Sequence, residues 1–124
     1  MRLLTDTHAA LWLLAEDERL SPRAAEHLTD PSNEVLLSAA VVWEVAIKRS
    51  LGKLDAPEGF ARLLLDAGAI PLAVSIEHAE AVRSLPWHHR DPFDRLLVVQ
   101  ASIEDAVLVS GDADLGAYGV RVLW

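Results

Sequence analysis

Acidic residues stand where they could do chemistry: Asp6 in "LLTDTHAALWLL", Glu44 in "AAVVWEVAIK", Asp91 and Asp94 in "WHHRDPFDRLLVVQA", and Asp112 and Asp114 in "SGDADLGAYG". Most of them also have ordinary structural explanations. Asp6 sits where a strand hands over to a helix, and an aspartate there caps orphan backbone N–H groups. Asp91 followed by Pro92 matches an N-cap with proline at the first helical position. Asp94 in the first turn complements the helix dipole, and Asp112 lies among turn formers. Glu44 is harder to explain, because its helix is apolar on nearly every side and a buried carboxylate is costly without a partner. Lys48, four positions on, offers an ion pair worth only about 0.2–0.5 kcal/mol on a helix surface. Glu44 therefore either reaches solvent or faces a cleft that holds positive charge.

Taken together the acids suggest one chemistry. Two carboxylates about 4 Å apart repel by about 4 kcal/mol at an effective dielectric of roughly 20, so several in one place need protons or a cation. The chain has no cysteine, which removes thiolate zinc sites and cysteine nucleophiles. Oxygen ligands alone suit Mg²⁺ or Mn²⁺. A zinc site on His88 and His89 is the weaker idea, since adjacent histidines diverge in an extended loop. An oxygen-ligated cation in an acidic cleft suits phosphodiester hydrolysis: it polarises the phosphoryl oxygen and lowers the pKa of water.

Such acids must be brought together by the fold. Short branched runs recur at 2–5 ("RLLT"), 34–38 ("EVLLS"), 69–74 ("AIPLAV"), 106–110 ("AVLVS") and 120–124 ("VRVLW"). Lacking in/out alternation, they read as strands covered on both faces. Helical segments lie between them: "THAALWLLA", "SPRAAEHL", "AAVVWEVAIKRSLG", "APEGFARLLLDAG", "SIEHAEAVRSL" and "DPFDRLLVVQASIED". Alternating strand and helix predicts a largely parallel sheet with right-handed crossovers and helices on both faces. Ligands in such folds gather beyond the carboxyl ends of the strands, near the reversal of strand order. Asp6, Glu44, Asp94 and Asp112 all fall toward that end.

Size and charge bound the rest. The 124 residues, 52% hydrophobic, predict a single domain spanning 1–124. With 19 acidic against 11 basic residues and a formal charge of −8, phosphate neutralisation is a poor main source of nucleic-acid affinity. The absence of cysteine favours an intracellular protein. No cleavage site follows the apolar N-terminal stretch and no segment reaches membrane-spanning length, so the sequence reads as soluble and unprocessed.

The segments "LLTDTHAALWLL", "SAAVVWEVAIKRSLGKL", "LPWHHRDPFDRLLVVQA" and "LVSGDADLGAYGVRVLW" resemble PIN-domain ribonucleases, in particular the VapC-type toxins of bacterial toxin–antitoxin pairs. The resemblance implies a three-layer α/β/α fold with a central, mainly parallel sheet of about five strands. It also implies Mg²⁺- or Mn²⁺-dependent cleavage of RNA in a bacterial cytoplasm. By motif match Asp6 corresponds to the family's first acid, Glu44 to the second, Asp94 to the third and Asp112 to the fourth. Asp6 and Asp94 rank first for metal contact, then Asp112 or Glu44, with Asp91 last and Asp114 an alternative in the fourth motif. Thr5 or Ser110 could orient a ligand or water. A cognate VapB-type antitoxin, toxin homodimers and toxin–antitoxin hetero-oligomers are implied as partners.

Arg90, Arg95 and Lys48 could position RNA phosphates, although exposed basic residues more often pair with nearby acids. Trp87 and His88 could stack on unpaired bases. Trp12 and Trp43 lie on apolar helices and read as core or partner contacts, and Trp124 packs beside the last strand. Two rivals remain: a catalytically inactive PIN-like module that binds RNA or a partner, and a receiver-type phosphoacceptor, whose strand-end residues match this chain poorly.

Overall fold

In the computed structural model, which describes residues 1–124, the strands are β1 (Arg2–Thr5), β2 (Glu34–Ser38), β3 (Ile70–Leu72), β4 (Val107–Val109) and β5 (Val122–Leu123). The helices are α1 (Thr7–Ala15), α2 (Pro22–Thr29), α3 (Ala39–Ser50), α4 (Phe60–Asp66), α5 (Ile76–Ala81) and α6 (Pro92–Ile103), with 3₁₀ turns at Val82–Ser84 and Ala113–Tyr118. All five strands pair in parallel in the order β3-β2-β1-β4-β5. The mainly parallel sheet expected from the sequence is thus present. Receiver domains share a different order, 2-1-3-4-5, so the topology removes that rival.

The sheet is apolar on both faces, as its continuous branched runs require. Register places Leu4 between Leu36 and Leu108, and these leucines join one core with Val41 and Val45 of α3, Phe60 and Leu64 of α4, and Leu97 and Val98 of α6. One residue along the pleat, Leu3, Val107, Val109 and Leu123 pack on the other side against Leu20 and against Ala24 and Leu28 of α2. Period-two alternation within β1 therefore divides Leu3 and Leu4 between two cores. At the edges, β5 has two residues and β3 carries Pro71, which has no N–H to offer a further strand.

Helix starts follow local chemistry. Asp6, Ser21, Ser38, Ser75 and Asp91 each cap a helix by accepting a backbone N–H on the side chain. The segment "APEGFARLLLDAG" is helical only from Phe60, because Gly59 takes the left-handed conformation at φ 71° and stops the helix extending backwards. No helix is long and apolar enough to cross a membrane.

Candidate active site

Strand order reverses between β1 and β4, and the acids gather there. The Asp6 N–H donates to the Val109 carbonyl at 3.0 Å, so the residues after β1 and β4 start from hydrogen-bonded neighbours. A cleft of about 700 Å³ opens beyond these strand ends, and Asp6, Glu44, Asp91, Asp94 and Asp112 all line it. Asp114 is exposed and lies outside the cleft, contributing only its N–H to Asp112 Oδ1 at 3.0 Å.

The acids differ in how far their oxygens are already engaged. Glu44 is 5% exposed; its Oε1 accepts from the Thr7 hydroxyl at 2.5 Å and its Oε2 from Lys48 Nζ at 2.5 Å. It faces the cleft, and Lys48 is the positive charge it requires. The carboxylate of Glu44 in turn holds the Lys48 ammonium above the ordinary lysine range. Asp91 Oδ1 accepts the N–H groups of Phe93 at 2.8 Å and Asp94 at 3.2 Å, which is its capping role. Asp112 Oδ2 receives His89 Nε2 at 3.0 Å, and its Oδ1 serves the following 3₁₀ turn.

Asp6 Oδ1 accepts the Ala9 N–H at 2.8 Å. Burial pushes the Asp6 carboxyl above its ordinary value, against the pull of hydrogen bonds from Ser110 and Ala9. Asp94 is the exception among the five, because its carboxylate accepts no hydrogen bond and His89 Nε2 stands 3.7 Å away. Burial, and then the charges of Asp91 and Asp6, push its pKa up to about 7. A carboxylate with open coordination among like charges in a cleft suits a hard divalent cation. The donor set thus fits the Mg²⁺ or Mn²⁺ that the resemblance implies.

His89, considered from the sequence only as half of a weak zinc pair with His88, has a larger part in the site. Its Nδ1 accepts the Asp91 N–H at 3.1 Å, so the neutral ring carries its proton on Nε2 and donates it to Asp112. His89, Asp94 and Asp112 hold ligand-type atoms within 4.8 Å of one another. For Nε2 to bind a metal, the ring would first have to give up the Asp91 N–H; as it stands, His89 orients Asp112. Thr7 is the site residue that the sequence reading did not name. Thr5, expected to orient a ligand, is buried outside the cleft. The hydroxyl that reaches Glu44 belongs to Thr7, one residue past the strand end. Ser110 Oγ accepts the Asp112 N–H at 3.1 Å and sits beside Asp6.

Among the basic candidates, Arg90 is exposed and outside the cleft. Arg95 requires a correction: it is 2% exposed and lies outside the cleft. Its Nη1 donates to the carbonyl of Pro86 at 2.8 Å and to the Tyr118 hydroxyl at 3.2 Å, and its Nη2 donates to the carbonyls of Val82 and Leu85 at 3.4 Å. The guanidinium also stacks 3.8 Å from the Trp87 ring centre. Its charge is spent on a loop, which it shapes so that His89 enters the acid cluster. Trp12 and Trp124 pack against the apolar cores as expected, and each also lines the cleft.

Linkage fixes the pH behaviour of the metal-free protein. Between pH 4 and 7 the folded chain keeps a proton on Asp94 that the unfolded chain, with an ordinary aspartate near 3.8, has released. Stability then falls as pH rises through that window and levels off above it. Melting curves in EDTA should show a steeper loss between pH 4 and 7 for the wild type than for Asp94→Asn; equal slopes would contradict the shift.

The PIN domain family model matches residues 3–120. Over 53 residues the chain is 45% identical to Ribonuclease VapC16 of Mycobacterium tuberculosis; this stretch is 40% of the chain and 38% of that protein. The match therefore spans about two fifths of the curated relative's length. Among solved structures, VapBC2 from Rickettsia felis, bound to a DNA fragment from its promoter, is similar with a TM-score of 0.72 at 15% identity, covering 99% of this chain and 98% of that one. VapBC-1 from nontypeable Haemophilus influenzae gives 0.69 at 17% identity, with 99% and 97% covered. At such identities the structural likeness speaks to fold. The family match runs from β1 to the approach to β5 and includes every acid of the cleft, so the chain belongs to the PIN domain family.

Proposed function

We propose that this protein is a Mg²⁺- or Mn²⁺-dependent endoribonuclease that acts as the toxin of a toxin–antitoxin pair. The observation that carries the reading is Asp94: a carboxylate without a hydrogen bond, lining the same cleft as Asp6 and close enough to feel its charge, with its pKa raised to about 7. The similarity to VapC16, a ribonuclease by name, supports the activity. The VapBC complexes among its structural neighbours support a VapB-type antitoxin as partner. Toxin homodimers, hetero-oligomers and a cytoplasmic location complete the reading.

Asp6 and Asp94 would hold the ion, with Asp112 beside them. When bound, the cation supplies Lewis acidity to a phosphate oxygen and makes water a better nucleophile. The protein's own groups set the geometry. His89 and the Asp114 N–H fix Asp112, while Thr7 and Lys48 fix Glu44. Lys48 also brings positive charge to the cleft wall where a phosphate would approach. In-line attack by water forms a new P–O bond and breaks the bond to the 3′ oxygen, leaving a 3′-hydroxyl and a 5′-phosphate.

Purified protein, free of antitoxin, should cleave RNA in Mg²⁺ or Mn²⁺ and stop in EDTA. Undiminished cleavage in EDTA would remove the metal mechanism. RNA binding without cleavage in either cation would favour the rival reading, an inactive RNA- or partner-binding module.

A further inference from the structure

Beyond Asp112 the acidic cleft continues into a wall of different character, formed by His8, Trp12, Arg19 and Trp124. The Trp12 and Trp124 rings lie 5.8 Å apart at 60°, His8 lies 5.4 Å from Trp12, and the Arg19 guanidinium sits 5.0 Å from the Trp12 ring centre. His8 is exposed and both indoles are only half-buried, so aromatic surface opens into the cleft. The backbone makes room for this arrangement. A Cβ on Gly111 would come within 3.2 Å of Trp124 Cε2 and 3.3 Å of Cζ2, tighter than ordinary contact. Glycine at that position lets the indole lie flush beside Asp112, at the border of the acidic site.

Electrostatics explains why such a wall would matter. The cations lining the cleft are already paired, Lys48 with Glu44 at 2.5 Å and Arg19 with Asp17 at 2.8 Å. Five acids line the same cleft, and the whole chain carries −8. Attraction between protein and phosphate therefore supplies little affinity. Stacking of a base on an aromatic ring is indifferent to that charge, and each stacked base raises affinity roughly 5- to 100-fold.

We propose that His8, Trp12 and Trp124 form a subsite that stacks an unpaired nucleobase next to the phosphate handled by Asp6 and Asp94. This rests on the ribonuclease reading and narrows its substrate class. A base can reach the indoles only when it is splayed out of a helix.

The full-length protein in Mn²⁺ is titrated calorimetrically with the four nucleoside 5′-monophosphates and, as the base-free control, ribose 5-phosphate. At least one nucleotide should bind roughly 5- to 100-fold more tightly than the sugar phosphate. Trp124→Ala should reduce that preference to within about twofold. Gly111→Ala, which keeps the indole but pushes it aside, should weaken the preference too, and Trp43→Ala, outside this cleft, should leave it intact. Equal binding of nucleotides and ribose 5-phosphate by the wild type, no measurable binding of any nucleotide at millimolar concentration, or an undiminished preference in a folded Trp124→Ala protein would overturn the subsite. RNA cleavage by the same preparation reports separately on the ribonuclease reading. A protein that prefers nucleotides but cleaves nothing keeps the subsite and loses the reading, whereas one that cleaves without base preference does the reverse.

Discussion

Replacing Asp94 with asparagine should reduce RNA cleavage by about a thousandfold or more, the loss that accompanies roughly 4 kcal/mol of metal-assisted transition-state stabilisation. The same substitution should make the metal-free protein melt at a higher temperature above pH 7. The two effects share one cause. The carboxylate is pushed up to about 7 because burial and the charges of Asp91 and Asp6 oppose its ionisation, so a neutral amide of the same shape relieves repulsion while removing the oxygen ligand. Calorimetric titration with Mn²⁺ should show a corresponding loss of affinity. A variant that kept a tenth of wild-type activity, or that melted lower in EDTA, would show that Asp94 is not the strained ligand described here.

Arg95→Met should be among the most destabilising substitutions outside the apolar core, costing about 3–5 kcal/mol. The guanidinium is 2% exposed and donates to carbonyls of Val82, Leu85 and Pro86 and to Tyr118. Methionine fills the volume but leaves those acceptors without donors. For a chain of this length the loss corresponds to a fall in Tm of roughly 10–20 °C. Arg95→Lys retains the charge but not the planar fork that reaches several acceptors, and should recover less than half of the loss. Limited proteolysis should cut variant chains first near Trp87 and His88. A Tm within about 2 °C of wild type would refute this role.

The framework was legible because it depends on local pattern. Branched runs buried on both faces declared a parallel sheet, capping residues located the helix starts, and the pairing of Asp91 with Pro92 marked Asp91 as a cap and left Asp94 free for the cleft. The misreadings share a physical origin. Arg95 looks like any exposed cation until the chain curls the carbonyls of Val82, Leu85, Pro86 and His89 around it, and carbonyls carry no sequence signal. The value of His89 depends on which ring nitrogen meets the Asp91 N–H, which a loop's path decides. The contact of Trp12 with Trp124 joins the helix after the central strand β1 to the residue after the edge strand β5, so neither residue alone announces it. The helix expected to begin near Ala56 begins at Phe60 because Gly59 turns left-handed, a choice that glycine permits without requiring it.

The borders of the sheet carry one more implication. A parallel sheet forms slowly, since its strands meet only after long crossovers close, and an open edge invites pairing between molecules. Here one margin ends in a strand of two residues and the other in a strand interrupted by Pro71. Neither offers an uninterrupted ladder on which a second chain could nucleate. These blunt margins therefore keep the free chain from fibril-like self-association while its sheet assembles.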